Sequence, residues 1–289
     1  MRFCIGSAKE IPDSLKEADW KELYAIAKKQ CLVGVLFYGI KKLPAEHVGM
    51  EKELLLHWMA ESQMLEKANV RLNDVATRVS EWFRKKGFRT CILKGQGNAL
   101  MYPNGLHRTP GDIDIWVEGG DKRVISFVRY ISPHEKACYH HIEFPLTHIY
   151  AHLMNEGIGL RQLLDYYYVL ISDDLLLIRD RVQKELKELG LWKFAGAIMY
   201  IMQEVFGMPA SRLIVPPNEK YGRFVLNEVL EAGNFGKHDA RNRFGRSQLG
   251  HNLQRVYRDI RLVKYFPAEA MSEPFFRVWH FFWRVKNKK

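Results

Sequence analysis

Asp112-Ile113-Asp114 is the sharpest chemical feature of the sequence. The alternation over Asp112–Val117 predicts a strand, with Ile113, Ile115 and Val117 on one face and Asp112, Asp114 and Trp116 on the other. Two carboxylates at i and i+2 then share a face, and their repulsion is costly unless a cation sits between them. Hard oxygen donors in this arrangement suit Mg²⁺ or Mn²⁺. An edge strand carrying solvated acids has the same pattern, so the neighbouring segments must decide. Upstream, Phe88–Leu93 reads as a strand and Lys94-Gly95-Gln96-Gly97 as a turn, followed by a short helical piece at Asn98–Tyr102. Glycines in such a turn let a phosphate approach the backbone.

A strand, a glycine turn, a short helix and then a strand bearing D-x-D resembles the order of the DNA polymerase β-like nucleotidyltransferases. Leu93-Lys94-Gly95, Tyr102-Pro103, Arg108 and Gly111-Asp112-Ile113-Asp114-Ile115 are similar to the uncharacterised bacterial "family 5" group within them. Glu156-Gly157-Ile158-Gly159-Leu160-Arg161 with Asp165, and Gly233-Asn234-Phe235-Gly236, look like that group's helical half. The resemblance implies Mg²⁺ (or Mn²⁺) held by Asp112 and Asp114, in a two-metal type of phosphoryl chemistry, with an NTP such as ATP as substrate. It implies a triphosphate loop at Gly95, Gln96 and Gly97, and phosphate partners in Lys94 and Arg108. Strand-end solvation for Lys94 and a surface loop for Arg108 are the plain alternatives. The superfamily's third carboxylate falls to Glu143, on the strand Tyr139–Phe144. Two departures stand out: the superfamily's usual Gly-Gly or Gly-Ser pair is Gly95-Gln96 here, and Pro145 runs into the helix at Leu146 with no connecting turn. Strand-to-helix connections normally take a few residues, so a family-typical insert with its own strand and acid is expected to be missing at Pro145–Leu146.

Other residues invite weaker readings. His148 and His152, at i and i+4, have a zinc-binding spacing, but a partly buried face against the catalytic core is the preferred reading. Arg161 and Asp165 read as an i, i+4 ion pair on a helix surface or between domains. His140 and His141 read as structural. The tail Phe275–Arg284 is aromatic and basic, open to an interfacial membrane helix, to stacking on nucleic acid, or to sealing the helical region, the last being preferred.

The elements that must position these residues come from periodicity. Asp19-Trp20-Lys21-Glu22 and Ser14-Leu15-Lys16-Glu17 have the capping-box form. Helices are expected over Val33–Leu43, Ala45–Lys86, Asp121–Ile131, Leu146–Val169, Leu175–Leu189, Leu191–Phe206, Lys220–Glu231, Leu249–Tyr265 and Glu273–Val285. The expected fold is α+β: a small nucleotidyltransferase-type mixed β-sheet core at 88–145, flanked by helical regions at 1–87 and 146–289. With 289 residues and 47% hydrophobic composition the chain can bury a core without staples. Its net charge of +11 calls for an anionic partner. From Lys237 onward there are 13 Lys/Arg against 4 Asp/Glu, an excess of +9. No reading motif accompanies that charge, so nucleic acid is not the favoured partner. Four cysteines without a C-x-x-C pair fit a reducing cytoplasm. No signal peptide or membrane-spanning run is visible. The expected function is Mg²⁺-dependent transfer of a nucleoside monophosphate from an NTP to an acceptor hydroxyl. The alternative is a catalytically inactive relative that binds a nucleotide or a protein partner.

Overall fold

Asp19 begins the first substantial helix as its capping sequence predicts: its Oδ1 accepts from the amides of Lys21 at 2.9 Å and Glu22 at 3.0 Å. The structure is a computed structural model describing residues 1–12, 15, 17–118, 146–172, 174–241, 248–267, 270, 271, 279 and 283. Helices α1 (Arg2–Ile5), α2 (Trp20–Lys29), α3 (Val33–Ile40) and α4 (Lys52–Lys85) are followed by β1 (Thr90–Ile92), the single turn α5 (Gln96–Ala99) and β2 (Ile115–Val117). The chain is again helical from 146: α6 (146–155), α7 (Leu160–Leu170), α8 (Asp174–Glu188), α9 (Trp192–Glu204), α10 (Glu219–Ala232) and α11 (Gln248–Leu262). The fold is mostly helical with a small antiparallel sheet, consistent with an α+β nucleotidyltransferase-like fold.

One hydrophobic core joins the N-terminal helices to the C-terminal half. It contains Trp20, Phe37 and Trp58 from the first and Leu163, Tyr166, Phe194, Ile198 and Val225 from the second. The apolar run ending at Ile40 is α3, buried on nearly every side, which accounts for its uniform hydrophobicity. The long helix α4 is covered along a narrow seam of Trp58, Ser62, Asn69 and Ala76. Trp82, near its C-terminal end, is exposed, so the apolar residues of α4 are buried only in part. Among the described residues no helix is long and apolar enough to cross a membrane.

The expected sheet is shorter than its sequence pattern. β1 and β2 pair antiparallel, Ile92 opposite Ile115 and Thr90 opposite Val117. The predicted helix Asp121–Ile131, the strand Tyr139–Phe144 with His140, His141 and Glu143, and the Pro145–Leu146 junction lie outside the described residues. The helix expected over Leu146–Val169 is broken in two. Gly157 takes φ +109° and lies against Ala232 and Gly236, a close approach that a side chain would obstruct. The loop carrying Gly157 and Gly159 thus packs on the loop carrying Gly233 and Gly236, uniting two glycine motifs that are far apart in sequence.

Candidate functional site

The β1–β2 pair sets the site by register. Beyond the Ile92–Ile115 pair, the Leu93 amide donates to the Asp114 carbonyl at 2.9 Å. Two residues further on, past the end of both strands, Gly95 stands against Asp112. Gly95 has φ +61°, and a Cβ there would stand 2.7 Å from the Asp112 carbonyl oxygen. A Cβ on Gly97 would stand equally close, 2.7 Å, to the Ile92 carbonyl oxygen. Both glycines are needed because the turn folds tightly against its own hairpin. The result joins the two sequence features: Lys94 Nζ lies 3.2 Å from Asp114 Oδ2. Asp112 is exposed beside them, while Asp114 is partly covered.

Gln96 faces the other way. It is buried, and its Nε2 donates to Asn73 Oδ1 at 2.7 Å and Asn69 Oδ1 at 3.2 Å, both on α4. Its side chain anchors the turn to α4.

Arg108 is not positioned as the phosphate partner that the resemblance implied. It is buried, with Nε and Nη2 each 2.7 Å from a different oxygen of Asp165 on α7. Tyr102 donates to the same carboxylate at 2.6 Å. Burial opposes the charge on Arg108, but the Asp165 carboxylate and its hydrogen bonds hold the guanidinium's pKa above its usual value. Burial, with the Asp165 charge adding to it, drives the Tyr102 hydroxyl well above its ordinary pKa. Asp165 therefore pairs with Arg108 rather than with Arg161. Arg161 is also buried, and its Nη1 donates to the Thr109 carbonyl at 3.0 Å and the Pro110 carbonyl at 3.4 Å. Asn69 Nδ2 donates to the carbonyls of Leu106 at 2.7 Å and Arg108 at 2.8 Å, and Thr109 Oγ1 to that of Cys31 at 2.7 Å. The loop leading to Asp112 is thus clamped from behind by α4 and α7. Sequence reasoning had noticed Tyr102, Arg161 and Asp165 but not this role, and it missed Asn69 altogether. A polar side chain on the buried seam of α4 was the available signal.

His148 and His152 come to the front of the site. Their Nε2 atoms lie 3.0 Å apart, and His152 Nδ1 is 3.4 Å from Glu156 Oε2. Burial pushes the His148 imidazole down to about 4, the positive charges of Lys94 and His152 push in the same direction, and Asp112 opposes them. The start of α6 is therefore within electrostatic reach of both the lysine turn and the acid pair. Among the described residues no three His, Cys, Asp or Glu side chains converge as a metal site.

The family model described as an uncharacterised nucleotidyltransferase matches residues 16–126. No curated protein and no solved structure matches the chain. The matched stretch contains the hairpin, the glycine turn and the acid pair, and it stops before α6 and α7. Residues 16–126 thus resemble an uncharacterised nucleotidyltransferase family, and general nucleotidyl transfer is the activity class that this likeness supports.

Proposed function

We propose that the protein is a Mg²⁺-dependent nucleotidyltransferase that moves a nucleoside monophosphate from an NTP to an acceptor hydroxyl with release of pyrophosphate. The observation that carries this reading is the closure of the Gly95 turn on Asp112, which brings a side-chain-free backbone and Lys94 beside two carboxylates. Asp112 and Asp114 fit the ion chemically: Mg²⁺ is commonly held by one or two carboxylates, with water and substrate phosphates filling its remaining positions. When bound, the ion supplies charge neutralisation at the phosphates and a lowered pKa for the attacking hydroxyl. Lys94 offsets negative charge on the triphosphate, and the backbone of Gly95, Gln96 and Gly97 lines its approach. Arg108 acts from behind, by fixing the loop that ends at Asp112. Glu143 remains the proposed third carboxylate. The division into 1–87, 88–145 and 146–289 goes with this reading, with α6 and α7 closing one side of the cleft. An NTP-consuming enzyme with free thiols at Cys4, Cys31 and Cys91 fits the cytoplasm.

A second reading, nucleotide binding without transfer, draws on the Lys94–Asp114 ion pair, in which the lysine neutralises one of the two metal-binding acids. Incubation with α-labelled NTPs, Mg²⁺ and a cell extract separates the two. Transfer of label to an acceptor, lost in Asp112→Asn, supports the enzyme. Retained nucleotide binding with no labelled product supports the second reading.

A further inference from the structure

The two glycine motifs of the helical half converge on one side chain, His152. Gly236 passes so close to the end of α6 that a Cβ there would collide with the Glu156 carbonyl oxygen. Phe235, in the same loop, takes φ +55°, a left-handed conformation that costs a phenylalanine energy and persists only where its surroundings impose it. Its ring packs edge to face with the His152 imidazole, 5.2 Å between centroids. At the imidazole's Nδ1, Glu156 Oε2 lies 3.4 Å away. Phe235 thus restrains the ring, and the carboxylate favours the tautomer with its proton on Nδ1, which leaves the lone pair on Nε2. That Nε2 stands 3.0 Å from Nε2 of His148, one turn earlier on α6.

We propose that His148 and His152 form a binding site for a divalent transition-metal ion of the Zn²⁺ class, separate from the Asp112–Asp114 pair. The geometry differs from that of a plain hydrogen bond between imidazoles. An in-line N–H···N bond would hold the ring centroids about 5 Å apart. They are 4.2 Å apart, with the rings at 82°, so the two Nε2 atoms do not meet head to head. With metal–nitrogen bonds of about 2.0–2.1 Å, nitrogens 3.0 Å apart subtend about 95° at an ion, between the cis octahedral and tetrahedral angles. Residue type agrees. Imidazole nitrogens suit Zn²⁺, Ni²⁺ and Cu²⁺, whereas the oxygen donors of Asp112 and Asp114 suit Mg²⁺. The carboxylate of Glu156 at the far nitrogen of His152 is the support that metal-bound histidines usually have. Among the described residues no third His, Cys, Asp or Glu joins the pair. Water or a ligand oxygen would therefore fill the remaining positions, as at metal centres that keep a position open. His148 is within electrostatic reach of Lys94 and Asp112, so a phosphate or hydroxyl oxygen of a molecule held at the hairpin suits that open position. The site stands whether or not the hairpin transfers nucleotides.

The test uses the full chain, stripped of metal by a chelator and kept in excess Mg²⁺ so that the acid pair has its own ion. No nucleotide is added. Zn²⁺ binding is measured by calorimetry and Co²⁺ binding by visible absorption. One ion per chain is expected, and bound Co²⁺ should lack the charge-transfer absorption of thiolate ligands. His148→Gln and His152→Gln should each weaken binding by at least about tenfold, and Glu156→Gln by about tenfold, with helical circular dichroism retained. Histidine ring resonances in the NMR spectrum of the unsubstituted chain give a readout that needs no variant: two rings should shift when Zn²⁺ is added. Failure of the unsubstituted chain to bind Zn²⁺, or equal affinity in the double variant His148→Gln/His152→Gln, overturns the inference. So does binding that carries thiolate absorption, or Zn²⁺ that leaves every histidine ring unshifted.

Discussion

The hairpin face and the clamp behind it handle charge in opposite ways. At the front, Lys94 and Asp114 meet with side chains still 31 and 19% exposed, and Asp112 stands in solvent. At the back, Arg108 and Asp165 form a bidentate pair with almost no access to water, and Tyr102 fills part of the remaining acceptor capacity. An ion pair near solvent contributes little to stability and exchanges partners readily. A buried pair is costly to break because the survivor is left charged and desolvated. The front is thus suited to exchanging ligands, and the back to holding the front in place. Variants on the two sides should separate function from stability.

The largest effect is expected at the back. Asp165→Ala strands Arg108 and the Tyr102 hydroxyl in the interior and should cost about 3–5 kcal/mol of unfolding free energy, read by denaturant titration. A loss below about 1 kcal/mol would remove the distinction between the two regions. Gly95→Ala tests the joint between them. It combines a positive φ with a Cβ pressed on the Asp112 carbonyl, and should cost about 2 kcal/mol while also disturbing any ligand held by the turn. At the front, Asp112→Asn should weaken Mg²⁺ or Mn²⁺ binding by at least about tenfold in calorimetry and shift stability by no more than about 0.5 kcal/mol. Unchanged metal affinity would sink the assignment of the acid pair.

The smallest effect is a pH dependence at the seam between α6 and the hairpin. His148 titrates lower in the folded chain than its ordinary 6.5, at about 4. As pH falls through that window the unfolded chain takes up the proton first, so stability present above about 6.5 declines toward about 4. Allowing for partial solvent screening, the decline should be about 1–2 kcal/mol. It should shrink in His148→Gln, measured by urea unfolding at a series of pH values. A decline of equal size in that variant would assign it to other groups.

How legible the site was depended on sequence distance. The acid pair and the glycine turn were readable because alternation and glycine geometry are local: Gly95 and Gly97 are glycines because a Cβ would strike a carbonyl across the same hairpin. The direction of Gln96 was not readable, since Asn69 and Asn73 on α4 decide it. Arg108 looked like a phosphate ligand for the same reason. Its carboxylate partner lies 57 residues away, on a helix whose facing cannot be judged from the loop. The break at Gly157 was likewise hidden, because it is imposed by the close packing of Ala232 and Gly236.

The sequence by itself marked most of the described helices, the two strands and the chemistry available where they meet, because capping, periodicity and glycine's missing side chain act within a few residues. Only the tertiary structure decided which charges face water and which are locked away. Burial depends on what packs against a residue from elsewhere in the chain. Asp112 and Asp165 are the same side chain, and what distinguishes them is that Arg108 and Tyr102 close over the second and solvent stands over the first.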